Sequence, residues 1–168
     1  ALNGARRWVD IGPLNFQPGT QWEYSGFAGF DALGRVIELV SGMTLEEFFE
    51  RRIFTPLGMK DTYFTVPAAR AGDVAVSYDK TEAGLTRQTP ALPADASSGP
   101  FFSGSLGLTG STSDYLTFSQ MLLNGGELNG VRLISRKTVE LMTADAIGDL
   151  DLRNYNGDQV LKGYGFGL

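Results

Sequence analysis

The sequence predicts a mainly helical domain with a minor β component. Three observations predict it. Four stretches, near 29–41, 45–54, 112–124 and 136–142, carry helix-type apolar spacing or capping signals. Their ends carry recognisable stop residues, such as Gly42, the Pro56/Gly58 pair and Gly125-Gly126. Strand signals, by contrast, are few and short.

Taken in order, residues 1–17 are mixed, with Trp8, Val9 and Ile11 as candidate packing residues. "QPGTQ" is a turn, since Pro18 presets φ and Gly19 tolerates positive φ. Phe30, Leu33, Ile37 and Val40 then fall at helical spacing. Thr44 and Glu47 form a capping-box pattern that opens a second helix over "LEEFFERRIF". Residues 65–105 differ: they hold Pro67, Pro90, Pro93 and Pro100 among many Ala, Gly and Ser. They read as a long irregular excursion with one short strand near "VAVSY", of the kind that serves as a lid or binding wall. Helix signals return where Ser111, Thr112 or Ser113 caps a stripe of Tyr115, Phe118, Met121 and Leu122. "GVRLIS" is a hairpin strand after the turn "LNG", and Ser135 caps a last short helix. In "LKGYGFGL", Tyr164, Phe166 and Leu168 alternate with glycines, which gives a strand with one bulky face. Such a strand needs a β partner, so residues 163–168 are a candidate for self-association.

Composition narrows the chemistry. The 168 residues suit one domain with a sizeable core. A net charge of −5 without a basic run argues against a nucleic-acid partner, and no apolar stretch is long enough for a membrane span. The chain has no Cys and no His. Thiolate and imidazole metal sites are therefore excluded, as are a Cys nucleophile and a Ser-His-Asp triad. A hydrolytic base would have to be Tyr, Lys, Asp or Glu.

The candidate groups are then few. Tyr24 stands just before the first helix, with Ser25 and Gly26 beside it. Ser77 and Lys80 match Ser-x-x-Lys, in which a Lys one helical turn away takes the Ser proton, but the pair lies in the Pro/Gly-rich excursion. "SGSLGLTGSTS" (103–113) has the general form of an anion cradle without the Gly-Lys-Ser/Thr of a phosphate loop. Asp145, Asp149, Asp151 and Asp158 miss the EF-hand spacing and read as a solvated turn.

Four segments, "FQPGTQWEYS", "ALGRVIELVSGMTLEEFFERRIFTPLGMKDTYF", "GLTGSTSDYLTFSQMLLNGGELNGVRLISRKTVELMT" and "GYGFGL", follow one another in this order. Together they resemble the serine β-lactamase and penicillin-binding-protein-like hydrolases, in particular class C β-lactamases, D-alanyl-D-alanine peptidases and carboxylesterases of the same fold. The resemblance covers residues 13–168 apart from about 68–98, and "IFTPLGMKDTYF" is its most specific stretch. It implies one partial domain over 1–168, with 68–98 as a variable loop. The expected architecture is the helical subdomain of that fold plus the first strand or strands of its antiparallel sheet.

The resemblance also implies a catalytic role for Tyr24 as general base or proton relay, matching the tyrosine of a Tyr-x-Asn motif. Gly26 stands where the motif has Asn, which favours the esterase-like members. Ser25, Gly26, Phe101, Phe102, Ser103 and Gly104 are the expected substrate-binding residues around one cleft. The family's Ser-x-x-Lys precedes its tyrosine, so Ser77 and Lys80 do not align with it, and Lys-Thr-Gly is not matched; the chain therefore reads as the central portion of such an enzyme and inactive by itself. The parent reaction would be ester or amide hydrolysis through an acyl-serine intermediate, on a small ester, a β-lactam or a peptide, with no metal or organic cofactor. The alternative is a non-catalytic binding domain.

Overall fold

A computed structural model describes residues 16–23, 28–88, 102–148 and 152–153. Helices provide most of the regular structure, and the strands pair off two by two. In chain order the elements begin with β1 (Trp22–Glu23), α1 (Ala28–Ser41) and α2 (Leu45–Phe49). Helix α2 runs on through a wider π turn (Glu50–Phe54) into α3 (Thr55–Leu57). There follow β2 (Thr62–Tyr63), a 3-10 turn (Ala68–Asp73), β3 (Tyr78–Thr81), β4 (Gly84–Arg87) and β5 (Thr109–Gly110). The last elements are α4 (Thr112–Leu123), β6 (Glu127–Leu128), β7 (Val131–Arg132), α5 (Arg136–Thr143) and β8 (Leu152–Arg153).

The predicted helices form where their caps place them. Thr44 Oγ1 accepts from Glu47 N–H, and the Glu47 carboxylate accepts from Thr44 N–H, the two halves of the capping box. Ser111 Oγ accepts from Asp114 N–H at the start of α4, and Ser135 Oγ from Thr138 N–H at the start of α5. The second helix extends past its predicted end at 54. At the π turn Thr55 N–H donates to the Glu50 carbonyl five residues back. Pro56 follows at once; a wider turn gives its ring room against the preceding carbonyls and spares an N–H that proline lacks.

The stretch "IFTPLGMKDTYF" owes its pattern to packing. Phe54, Met59 and Phe64 are buried. Gly58 takes a left-handed φ of 70° that a β-carbon would strain, and Met59 N–H reaches back to the Phe54 carbonyl to close the helix end. Asp61 N–H donates to Asp114 Oδ2 at 2.7 Å and Thr62 Oγ1 donates to the same oxygen at 2.9 Å. Ser111 N–H returns a bond to the Asp61 carbonyl, beside the antiparallel β2–β5 pairing of Thr62 with Gly110. Asp114 is only 7% exposed, so this carboxylate is a buried junction between the α3–β2 turn and α4.

The aromatic core lies alongside. Phe49 contacts Phe48, Phe54 and Phe64, and Phe64 contacts Phe102, with ring centroids 5.2–6.4 Å apart. Leu45 and Met121 are almost fully buried.

The β component differs from expectation in two ways. The excursion carries a 3-10 turn and a hairpin, β3–β4, where a single strand near 74–78 is expected. Every residue of that hairpin is exposed. Without a buried face it has no apolar alternation to reveal it. Second, β1 and β8, two strands not expected from the sequence, pair in parallel with Trp22 opposite Leu152, while the other three described pairs are antiparallel. The strand expected at 163–168, with the self-association assigned to it, lies outside the described residues. The expected "LNG" hairpin forms between β6 and β7, with Asn129 and Gly130 both at positive φ as a tight two-residue turn demands.

Two outcomes are expected. Asp114→Ala leaves two interior donors without an acceptor and should cost about 2–3 kcal/mol in urea unfolding; Thr62→Val should cost less, since Asp61 keeps its acceptor. The Thr44 backbone N–H and hydroxyl hold the Glu47 carboxyl below its usual range, whereas burial and the neighbouring Glu47 and Glu50 raise that of Glu46. A depressed carboxylate stabilises the fold above its unfolded pKa, and that contribution fades as pH falls through the folded value. Thermal melts from pH 7 to pH 3 should therefore fall less steeply for Glu47→Gln than for the unaltered chain.

Candidate functional site

Among the expected site residues, Phe102, Ser103 and Gly104 are described; Tyr24, Ser25, Gly26 and Phe101 lie outside the described residues. The three described ones sit in a loop laid directly on α1. Asp31, in the first turn of that helix, gathers the loop with one oxygen. Its Oδ1 accepts from Ser103 Oγ at 2.6 Å, from Gly104 N–H at 2.9 Å and from Ser105 Oγ at 3.2 Å. Ser103 Oγ in turn accepts from the N–H groups of Ser105 and Leu106. The loop is thus folded around one hydroxyl and held by one carboxylate.

Gly104 explains how loop and helix come so close. A β-carbon at this position would overlap the Phe30 carbonyl. Gly104 also lies against Gly34 one helical turn further on, and Gly34 faces Leu45 of α2. Three elements therefore meet where two residues lack side chains. Phe102, at the head of the loop, rests its ring on Phe64 and is half-buried. Asp31 escaped the sequence reading, which met Ser105 only as part of the Gly/Ser-rich stretch 103–113. A lone Asp in the first turn of a helix reads as a dipole partner, and its bond to a loop more than seventy residues away has no local signature.

Ser77 and Lys80 do not form a catalytic pair. Lys80 is on strand β3 with Ser77 just before it, and both are exposed. Three residues along an extended chain put side chains on opposite faces, whereas a helix would bring them together. Among the described residues no group of three or more acidic side chains could hold a metal. Asp145 instead closes its own turn, accepting from the N–H groups of Ile147 and Gly148.

An apolar cavity of about 600 Å³ lies elsewhere, between the π turn and α4, lined by Phe49, Ile53, Phe54, Met59, Leu108 and Phe118 among others. Thr62 and Ser111 also reach it, but their hydroxyls already serve Asp114. Thr112 and Tyr115 line it too, with no lysine or carboxylate among its lining residues.

The sequence matches the Beta-lactamase family over residues 4–168. The chain belongs to the β-lactamase family. It is 33% identical over 157 residues to Protein Rv1367c of Mycobacterium tuberculosis, covering 93% of this chain and 39% of that one. A shorter stretch of 52 residues is 56% identical to the lovastatin esterase of Penicillium rubens, covering 31% of this chain and 12% of the esterase. The structure of the octameric penicillin-binding protein homologue from Pyrococcus abyssi superposes with a TM-score of 0.65 at 28% identity, covering 91% of this chain and 31% of that one. The chain thus spans about two fifths or less of the length of these relatives. The β-lactamase family is one of serine hydrolases, and the expected recognition, made on "IFTPLGMKDTYF" and its neighbours, is borne out.

Gly104→Ala should detach the loop from α1, and Asp31→Ala should do the same by removing its acceptor. Each should cost about 1–3 kcal/mol in urea unfolding. The double variant should cost much less than the sum, because either change alone frees the loop. Additive costs would show that the two contacts are independent.

Proposed function

We propose that this chain is the central part of a serine hydrolase that cleaves an ester or amide through an acyl-serine intermediate, with Tyr24 as general base or proton relay. The observation that carries the reading is the Asp31 anchor: it fixes Ser103 and Gly104, two of the expected substrate-binding residues, to the helix that begins just after Tyr24. On this reading Ser25, Gly26, Phe101 and Phe102 complete the cleft, and the excursion at 68–98 forms its wall. Gly26 in place of the motif Asn, together with the 56% identical stretch shared with lovastatin esterase, favours a carboxylic ester as substrate. The reaction needs no metal or organic cofactor.

The same reading makes the 168-residue chain inactive by itself. A tyrosine titrates near pH 10 in water, so a tyrosinate at pH 7 requires a depression of about 3 units, or about 4 kcal/mol. One cation at about 4 Å supplies roughly that much gross attraction at an effective dielectric near 20, and burial takes part of it back. Two lysines are therefore called for, and the resemblance assigns them to the Ser-x-x-Lys and Lys-Thr-Gly motifs. Of this chain's four lysines, Lys60, Lys80 and Lys137 are exposed, and Lys137 is paired with Glu140. None stands at either catalytic position, since Lys80 follows Tyr24 in the chain and lies on an exposed strand.

Two measurements test this. The purified chain should give no hydrolysis of p-nitrophenyl butyrate or nitrocefin above buffer, and Tyr24→Phe should change nothing. A longer protein containing this chain should take up a fluorophosphonate probe on a serine, and Tyr24→Phe should slow that labelling about 100-fold or more. A binding domain without chemistry would give no adduct in either form.

A further inference from the structure

The triplet Leu-Asn-Gly occurs at 2–4, 123–125 and 128–130. The first lies outside the described residues; the fold gives the other two opposite surroundings. Asn124 caps the end of α4. Its side-chain oxygen accepts from Gln120 Nε2 at 2.9 Å, and the next N–H, that of Gly125, donates to the Leu122 carbonyl at 2.9 Å. The Gly125 carbonyl accepts from the Arg132 guanidinium. Asn129 opens the two-residue turn between β6 and β7, where Leu128 pairs with Val131. Among the described residues it is the one non-glycine at positive φ, at 51°. Asn129 and Gly130 are both exposed. Neither the Asn129 side chain nor the Gly130 N–H has a hydrogen-bond partner among the described residues. A β-carbon at Gly130 would meet nothing within 4 Å, so the space around the turn is open.

We infer that Asn129 is a site of spontaneous deamidation and isoaspartate formation, and that the fold shields Asn124 from the same reaction. The Gly130 nitrogen gives its proton to solvent and attacks Asn129 Cγ. A C–N bond forms there, the bond from Cγ to the side-chain nitrogen breaks, and ammonia leaves with a proton from water. The product is a five-membered succinimide. Water then opens the ring. Opening at the side-chain carbonyl gives aspartate; opening at the main-chain carbonyl gives isoaspartate, with the chain routed through the former side chain. Solvent is the only other reactant. Ring closure turns the backbone between the asparagine Cα and the following nitrogen. At Asn124 that rotation must break the Gly125 bond to Leu122 and the Arg132 bond to Gly125, and the amide must leave Gln120. Reaction there proceeds only through opening of the helix end. At Asn129 the nitrogen and the amide both stand in water. The leucine before and the glycine after are the same at both sites, so the difference belongs to the fold. The new charge, and in isoaspartate the extra backbone atom, fall on the hairpin that closes α4, where the N–H groups of Leu133 and Ile134 donate to the Gly126 carbonyl. The inference is independent of the hydrolase reading.

Trypsin tests both sites at once: no Lys or Arg lies between Arg87 and Arg132, so residues 88–132 leave as one peptide. The chain is held at mildly alkaline pH, with and without urea, and digested. Conversion at each asparagine is followed by electron-transfer mass spectrometry, which separates isoaspartate from aspartate. In native buffer Asn129 should convert about tenfold or more faster than Asn124. In urea, where the helix end no longer protects, the two rates should agree within about twofold. No conversion at Asn129 in native buffer, equal rates there, or Asn124 ahead overturns the inference. A preference for Asn129 that persists undiminished in urea overturns it as well, since sequence rather than fold would then set the difference.

Discussion

The contact between the Gly104 backbone and the first turn of α1 is the constraint on which the rest of the candidate site depends. It requires no β-carbon at 104, which would overlap the Phe30 carbonyl. It also needs an acceptor for the N–H and hydroxyls brought inward, which Asp31 provides. Close approach alone would strand a backbone donor, and a carboxylate alone would hold the loop less closely. Together they turn a Ser/Gly-rich loop, otherwise free to sample many conformations, into a fixed wall. The loop's position then follows α1.

A second junction keeps that support in place. Asp114 joins the α3–β2 turn to α4, and the rings of Phe54, Phe49, Phe64 and Phe102 form a continuous run of contacts. Both junctions use a carboxylate in the first turn of a helix to capture N–H and O–H donors from a distant segment. In each, the carboxylate faces the positive end of its helix, a favourable site for negative charge. Helix α1 departs from the usual pattern: Asp31 accepts from the loop and Glu38 from Leu45 N–H, while Leu33, Val36, Leu39 and Val40 are exposed.

Much of the fold was legible in local signals. The caps at Thr44, Ser111 and Ser135, the stop at Gly58 and the Asn129-Gly130 turn are each decided within a few residues. The π turn extended the second helix beyond its expected end, since a widened turn has no marker except the following Pro56. The β3–β4 hairpin stayed hidden because an exposed hairpin needs no apolar period. The candidate site was legible only in part. Ser103 and Gly104 were found through family resemblance and Ser105 only as part of the 103–113 stretch, whereas Asp31 was not found at all. Their partnership joins residues with no relation along the chain.

The sequence by itself determined the helices, their caps, the absence of imidazole and thiol chemistry, and membership of the β-lactamase family. These rest on residue type and short-range spacing, which survive without knowledge of the fold. Tertiary structure alone decided that Asp31 and Asp114 are junctions rather than ordinary first-turn acids. It also decided that Ser77 and Lys80 are held apart on extended chain, and that α1 turns its apolar row outward. Those outcomes depend on which segments meet across long stretches of sequence, and no periodicity within one segment encodes the partner it will find.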